Sequence, residues 1–209
     1  MNEAVPLPAT RNRLDWRIVF WVLFVVLLVG DQVIKFWARN AFPNEHASMT
    51  VIANVFDLTL TYNKGIAFGM FQGFGPLLAP VAIAIAIGAA LHSMKHREES
   101  PWIHTAMALL AAGALGNLID RVWFHKVTDM FHFRAFEFPV FNLADSCITV
   151  AACILIIHWS AELIAESRQH KAGTRNEERG TSGTEEEARS EERGTSVSES
   201  EADPFDQPV

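Results

Sequence analysis

The residues able to do chemistry are carboxylates and carboxamides, set in or beside apolar stretches. Asp31 and Lys35 interrupt one such stretch, Asn117, Asp120 and Arg121 end another, and Asn142 and Asp145 begin a third. Asp129 and Asn63 stand in the polar connections between them. An ionisable group near the centre of a membrane helix costs about 2.5–3.5 kcal/mol even on the lower insertion scale, so such groups are informative. Two aspartates that share one proton can activate water: like charges at close range do not both ionise, and one pKa rises while the other falls. One carboxylate then takes a proton from water while the other donates to a carbonyl oxygen. Such a pair near a membrane surface can hydrolyse a peptide bond at the end of a membrane-inserted helix.

Other chemistries have weaker support. There is no Gly-x-Ser-x-Gly elbow and no His-Glu-x-x-His. Ser146 is the chief serine near these groups. Cys147 and Cys153 have no histidine at a recognisable catalytic spacing and read as small membrane-buried thiols. His125 and His132 lie seven apart with no third ligand at metal spacing. His92, His96, His104, His158 and His170 read as helix-end or surface residues. No metal and no cofactor is expected.

Each polar group also has a structural reading. Asp31 and Lys35 are four apart, the spacing of a helical ion pair. Asp120 can pair with its neighbour Arg121 or cap a helix. Asn142 can cap the fourth helix, with Asp145 a first-turn carboxylate favoured by the helix dipole. Asp129 can be an ordinary loop acid. Gly113 and Gly116 suit close helix packing.

The elements that must position these groups follow from the apolar runs. A helix across a bilayer needs roughly 20 apolar residues. Four segments meet or approach this, at about 16–37, 75–94, 102–119 and 140–164. Trp16, Trp37, Trp102 and Trp159 lie near their ends, as interfacial tryptophans do. The first run has a basic start but no small-residue cleavage site after it, so it reads as a retained helix. Lys and Arg number eight on the side of the termini and six on the other, which places both termini inside. Asp31, Lys35, Asn63, Asn117, Asp120, Arg121, Asn142 and Asp145 then converge on the outer face.

In the first outer segment, Val51-Ile52 and Phe56 to Tyr62 are strand-like, and Asn63-Lys64-Gly65 signals a turn. A small sheet or hairpin on the outer membrane face is expected there. The glycines Gly69, Gly73 and Gly75 break the chain before the second helix. The second outer segment, about 121–139, carries six aromatics suited to an interface. The fold class is therefore an all-α membrane protein of four transmembrane helices, with a small β-rich outer subdomain between helices 1 and 2.

Charge divides the chain. Residues 166–209 hold 12 acidic and 6 basic residues, against 12 and 11 in the rest. The hexapeptide Glu177–Ser182 returns at Glu191–Ser196. The chain is expected to have a flexible N-terminal extension (1–15), a four-helix membrane domain (16–165) and a disordered acidic cytoplasmic tail (166–209), since the tail lacks apolar residues to offset its ordering entropy. With no net basic charge, a nucleic-acid partner is excluded.

Five segments together resemble the motif blocks of bacterial lipoprotein signal peptidase (signal peptidase II). They are Asp31–Lys35, Tyr62–Gly69, Gly113–Arg121, Val127-Thr128-Asp129 and Phe141–Ser146. Each is weak alone; five in order on four apolar helices are specific. The resemblance covers about residues 16–165. It implies a membrane aspartyl endopeptidase of the bacterial cytoplasmic membrane. Such an enzyme removes the signal peptide from prolipoproteins whose cysteine carries a diacylglyceryl group, cutting just before that cysteine. It implies Asp129 and Asp145 as the catalytic pair, a choice that spacing leaves open between Asp129 and Asp120. It implies supporting or substrate-contacting roles for Asp31, Lys35, Asn63, Gly65, Asn117, Asp120, Arg121 and Asn142, while Ala144 leaves room beside the pair. Thr128 and Met130 depart from the Val and the Phe or Leu common in the pattern, and Lys64 and Ile66 vary its second block. The partners implied are the lipidated prolipoprotein and the bilayer, and the chain is expected to be a monomer. Two rivals stand beside this reading. One is a small transporter or proton-relay protein, which would prefer acids staggered across the membrane. The other is a non-catalytic assembly protein packing through Gly113 and Gly116.

Overall fold

A computed structural model describes residues 15–65, 78–135 and 138–199, with side chains through Lys171. The elements run α1 (Trp16–Ala41), β1 (Ser48–Ile52), β2 (Phe56–Asn63), α2 (Leu78–Lys95), α3 (Pro101–Phe124), β3 (Val127–Phe133) and α4 (Leu143–Glu199). Among the described residues, four helices are long and apolar enough to cross a membrane. The expected N-terminal extension, the glycines Gly69, Gly73 and Gly75 and the motif residues Ile66–Gly69 fall outside the described residues, the extension all but Asp15.

The chain divides into two units, residues 1–158 and 159–209. In the first, α3 is the central helix: most of it is buried, whereas α1 and α2 leave most of their surface exposed. The composition of α3 explains this. Its buried positions are mainly small, including Ala106, Ala108, Ala111, Ala112, Gly113, Ala114 and Gly116, and small residues let neighbouring backbones approach closely. A Cβ at Gly113 would meet the Ala144 carbonyl oxygen at 2.5 Å, and one at Gly116 would meet Asp31 Oδ2 at 2.6 Å. The outer faces carry large apolar residues: Ile18, Val22, Val25, Val26 and Val29 on α1, and Ile83, Ile87 and Leu91 on α2. So broad an apolar surface is stable against hydrocarbon, not water. Cys147 is buried, whereas Cys153 lies exposed on α4.

The strands form one antiparallel sheet in the order β1-β2-β3. The first outer segment supplies β1 and β2, where Val51-Ile52 and Phe56 to Tyr62 read as strand-like. The third strand comes from the other connection, between α3 and α4, where aromatic richness gave no clear strand signal. A register shift between Leu58 and Thr61 breaks the alternation of β2, which is why Asp57 is buried alongside Leu60. Leu60 and Met130 pack on Ala38, fixing the sheet to the C-terminal end of α1. Helix α3 runs to Phe124, one turn beyond the expected end, and closes on His125 in the left-handed conformation.

The second unit contains the continuation of α4 from Trp159 to Glu199.

Gly113→Ala puts a methyl against a backbone oxygen that cannot turn aside. A loss of about 1–3 kcal/mol, typical of overpacking, is expected. Thermal unfolding in detergent checks it; an unchanged midpoint would mean that α3 and α4 can separate freely.

Candidate active site

Three helix ends and the sheet meet at one point. Asn142 precedes α4, and its Oδ1 accepts the Asp145 N–H at 2.9 Å while Asp145 Oδ2 accepts the Asn142 N–H at 3.2 Å. This reciprocal pair is a capping box built from Asn and Asp. The cap also reaches outward: Asn142 Nδ2 donates to Asp129 Oδ1 at 2.6 Å and to Asn117 Oδ1 at 3.1 Å. Asn117 Nδ2 donates in turn to Asp145 Oδ1 at 2.7 Å. One carboxamide thus joins both aspartates, so capping and site-building are one arrangement.

Asp129 lies on β3, not in a loop. Phe141 pairs with Phe131, its N–H donating to the Phe131 carbonyl at 3.0 Å, and this brings Asn142 beside the strand. Alternate residues of a strand face opposite sides. Val127 and Asp129 face a cavity; Thr128 and Met130 are fully buried on the other side. Asp129 is nearly enclosed. Burial, and then the charge of Asp145, push its carboxyl up to about 7, against the opposing pull of the Asn142 hydrogen bond.

Asp31 and Lys35 do form the expected ion pair, at 2.9 Å, but it is buried rather than interfacial. Lys35 Nζ also donates to Asn117 Oδ1 at 3.0 Å and to the Gly116 carbonyl at 3.3 Å. Asp31 Oδ1 accepts the Ala144 N–H at 3.0 Å, a second cap on α4. Ala144 is buried, its methyl 3.2 Å from where a Gly116 Cβ would lie.

Asp120 is fully buried, and its cations are Arg39 at 3.3 Å and Lys35 at 3.8 Å, not the neighbouring Arg121. Asp120 Oδ2 accepts the Thr128 N–H at 2.8 Å. Arg121 turns to the cavity, donating to the Asn117 carbonyl at 3.2 Å and making a long 3.5 Å contact with the Gly65 carbonyl. Asn63 Oδ1 accepts the Gly65 N–H at 2.8 Å, closing the expected turn. Ser146 Oγ donates to the Asn142 carbonyl at 3.0 Å.

The cavity measures about 1050 Å³. Its polar wall holds Asn63, Asn117, Arg121, Asp129 and Asp145, and its apolar wall includes Val81, Ile85, Ile148 and Val150. A site this size admits an extended chain segment with apolar groups. The acids gather at one end of the helices, unlike the staggered array of a proton relay.

A family description, "Signal peptidase (SPase) II", matches residues 23–161. The chain belongs to the signal peptidase II family. The lipoprotein signal peptidase of Streptococcus pneumoniae is 39% identical over 136 residues, covering 65% of this chain and 88% of the relative. That of Deinococcus radiodurans is 32% identical over 185 residues, covering 82% and 93%. A bacterial membrane enzyme solved by the in meso method aligns with a TM-score of 0.66 and 29% identity, covering 69% of this chain and 89% of that one. The chain is thus an aspartic peptidase of the signal peptidase II type and a multi-pass membrane protein.

Arg39 and Gln32 also belong to the buried network; Gln32 lies inside the first motif block and Arg39 just beyond it. Gln32 Nε2 donates to Asp31 and to the Gly116 carbonyl, both at 3.0 Å. A signal for Arg39 existed: Asp31, Lys35 and Arg39 fall at i, i+4 and i+8, one helical stripe. His104 lies in the first turn of α3, a helix-end residue as read, but it is fully buried with Nδ1 2.7 Å from Ser93 Oγ.

Lys35→Met leaves Asp31 buried without its cation, and about 3–5 kcal/mol of stability is expected to go. Adding Asp31→Asn should return part of it. Thermal unfolding of the single and double variants measures both; additive losses would mean that the two groups do not act as a pair.

Proposed function

We propose that this chain removes the signal peptide from diacylglyceryl-modified prolipoproteins, cutting before the lipidated cysteine with Asp129 and Asp145 as the water-activating pair. The observation that carries this reading is that Asn142 holds both carboxylates in the wall of the cavity, Asp129 through its side-chain amide and Asp145 through its backbone N–H. Asp145 accepts two N–H donors and takes the proton of the attacking water. Asp129, with its carboxyl near 7, carries the shared proton and gives it to the scissile carbonyl oxygen. Water oxygen bonds to the carbonyl carbon. The tetrahedral centre then collapses, the C–N bond breaks, and the leaving nitrogen receives the proton held by Asp145. The carbonyl re-forms as its proton returns to Asp129, which restores the pair.

The supporting groups have distinct roles. Asn117 and Asn142 orient the two carboxylates. Arg121 and Asn63 face the cavity, where they can hold the substrate backbone, and Gly65 closes the turn that presents Asn63. The apolar wall suits the acyl chains and the apolar signal helix. Both termini are assigned to the cytoplasmic side of the bacterial cytoplasmic membrane, which puts the site near the outer face. The lysine and arginine distribution supports this, with the site at the far end of α1 from its start. All the named groups come from one chain, in keeping with a monomer.

The decisive experiment incubates the detergent-purified protein with a diacylglyceryl-modified prolipoprotein and with its unlipidated form. A gel shift of the lipidated form alone is expected, lost in Asp145→Asn and in Asp129→Asn. Retained cleavage in folded Asp129→Asn would move the role to Asp120.

The pH profile carries a second expectation. Above about 7 Asp129 loses the shared proton, both carboxylates are anionic, and kcat should fall. A rate still rising well above pH 8 would rule out Asp129 as the proton donor.

A further inference from the structure

We propose that Arg39 is a positioning residue for Asp129, acting through Asp120 and Thr128; the inference rests on the reading of Asp129 as a member of the water-activating pair. Arg39 Nη1 donates to Thr128 Oγ1 at 2.9 Å and to Asp120 Oδ1 at 3.3 Å. Asp120 Oδ2 accepts the Thr128 N–H at 2.8 Å. The three residues close a ring that grips residue 128 by both its hydroxyl and its backbone. The Arg39 guanidinium also lies 4.3 Å over the Phe124 ring, which sets its plane.

Residue 128 is the handle for residue 129. Side chains alternate along β3, so a grip on Thr128 from the helix side sets the direction in which Asp129 leaves on the cavity side. There Asp129 must meet Asn142 Nδ2 at 2.6 Å. A valine at 128 would fill the same space and lose the hydroxyl limb of the ring.

Charge gives Arg39 a second effect. Lys35 sits 2.9 Å from Asp31 but 3.8 Å from Asp120, so Arg39 is the nearer cation to Asp120. Around Asp129 stand Asp145 on α4, Asp120 and Arg121 on α3, and Lys35 and Arg39 on α1. Glu45 and Lys64 stand farther along the cavity wall, and Lys126 lies over the Tyr62 ring. Without Arg39, the Asp120 charge acts on Asp129 with less compensation. The proton on Asp129 is then held to higher pH.

The test measures kcat, KM and the pH profile of the full-length protein in detergent, on the lipidated prolipoprotein. Arg39→Gln should lower kcat roughly tenfold or more, the scale of a misplaced reacting group, and leave KM within about twofold. Its alkaline limb should move up by roughly half a unit or more. Adding Asp120→Asn should bring the limb back and restore part of kcat, since a carboxamide still accepts the Thr128 N–H and needs no counter-cation. Arg39→Lys keeps the charge, so its limb should stay in place while kcat falls less. Thr128→Val should lower kcat with the limb unmoved.

An unchanged kcat and limb in Arg39→Gln would overturn the proposal. So would a loss in kcat with the limb unmoved and no recovery on adding Asp120→Asn, the pattern of a merely structural arginine. Asp129→Asn in the same assay separates the two readings. If it is inactive, these outcomes judge Arg39 alone; if it cleaves normally, the pair and the Arg39 proposal fall together.

Discussion

Lys35 is a fully enclosed cation within helices whose outer faces are apolar, so every partner of its charge must come from the protein. The rest of the site follows from that constraint. A buried charge left without a partner costs several kcal/mol, so Asp31, Asn117 and the Gly116 carbonyl are held around Nζ. Asp31 and Asn117 each do something further. Asp31 caps α4 at Ala144, and Asn117 orients Asp145. The network is therefore satisfied as a whole, and polar networks in a low-dielectric setting specify a single geometry only when satisfied.

The second constraint is steric. Helices can share polar groups only if their backbones approach closely, and α3 permits it with glycine at 113 and 116. The oxygen of Asp31 and the backbone of Ala144 occupy the space that side chains would fill there. Bulk at either glycine and bulk at Ala144 would push apart the helices that hold the carboxylates. The sheet adds the fourth wall. It takes two strands from one connection and one from the other, which brings Asp129 to the end of α4 although Ala144 lies 15 positions further along the chain.

The stripe of Asp31, Lys35 and Arg39 serves both halves of this arrangement. Its first two members support α4, and its third reaches the buried side of β3. Thr128 is the point of contact, so a departure from the common motif text at that position has a partner on α1.

Much was legible in the sequence because it depends on local pattern. Length and apolar content determined the four spanning helices, and the strand-like residues Val51-Ile52 and Phe56 to Tyr62 marked β1 and β2. The spacing of Asp31 from Lys35 determined their pairing, and Asn142 three residues before Asp145 determined a capped helix start. Tertiary structure alone decided which strand completes the sheet, that Asp120 takes Arg39 rather than Arg121, and that Asn142 touches both Asp129 and Asp145. Those are contacts between distant segments, and no periodicity encodes them. They arise from packing α1, α3, α4 and the sheet until each buried polar atom of the cluster has a partner.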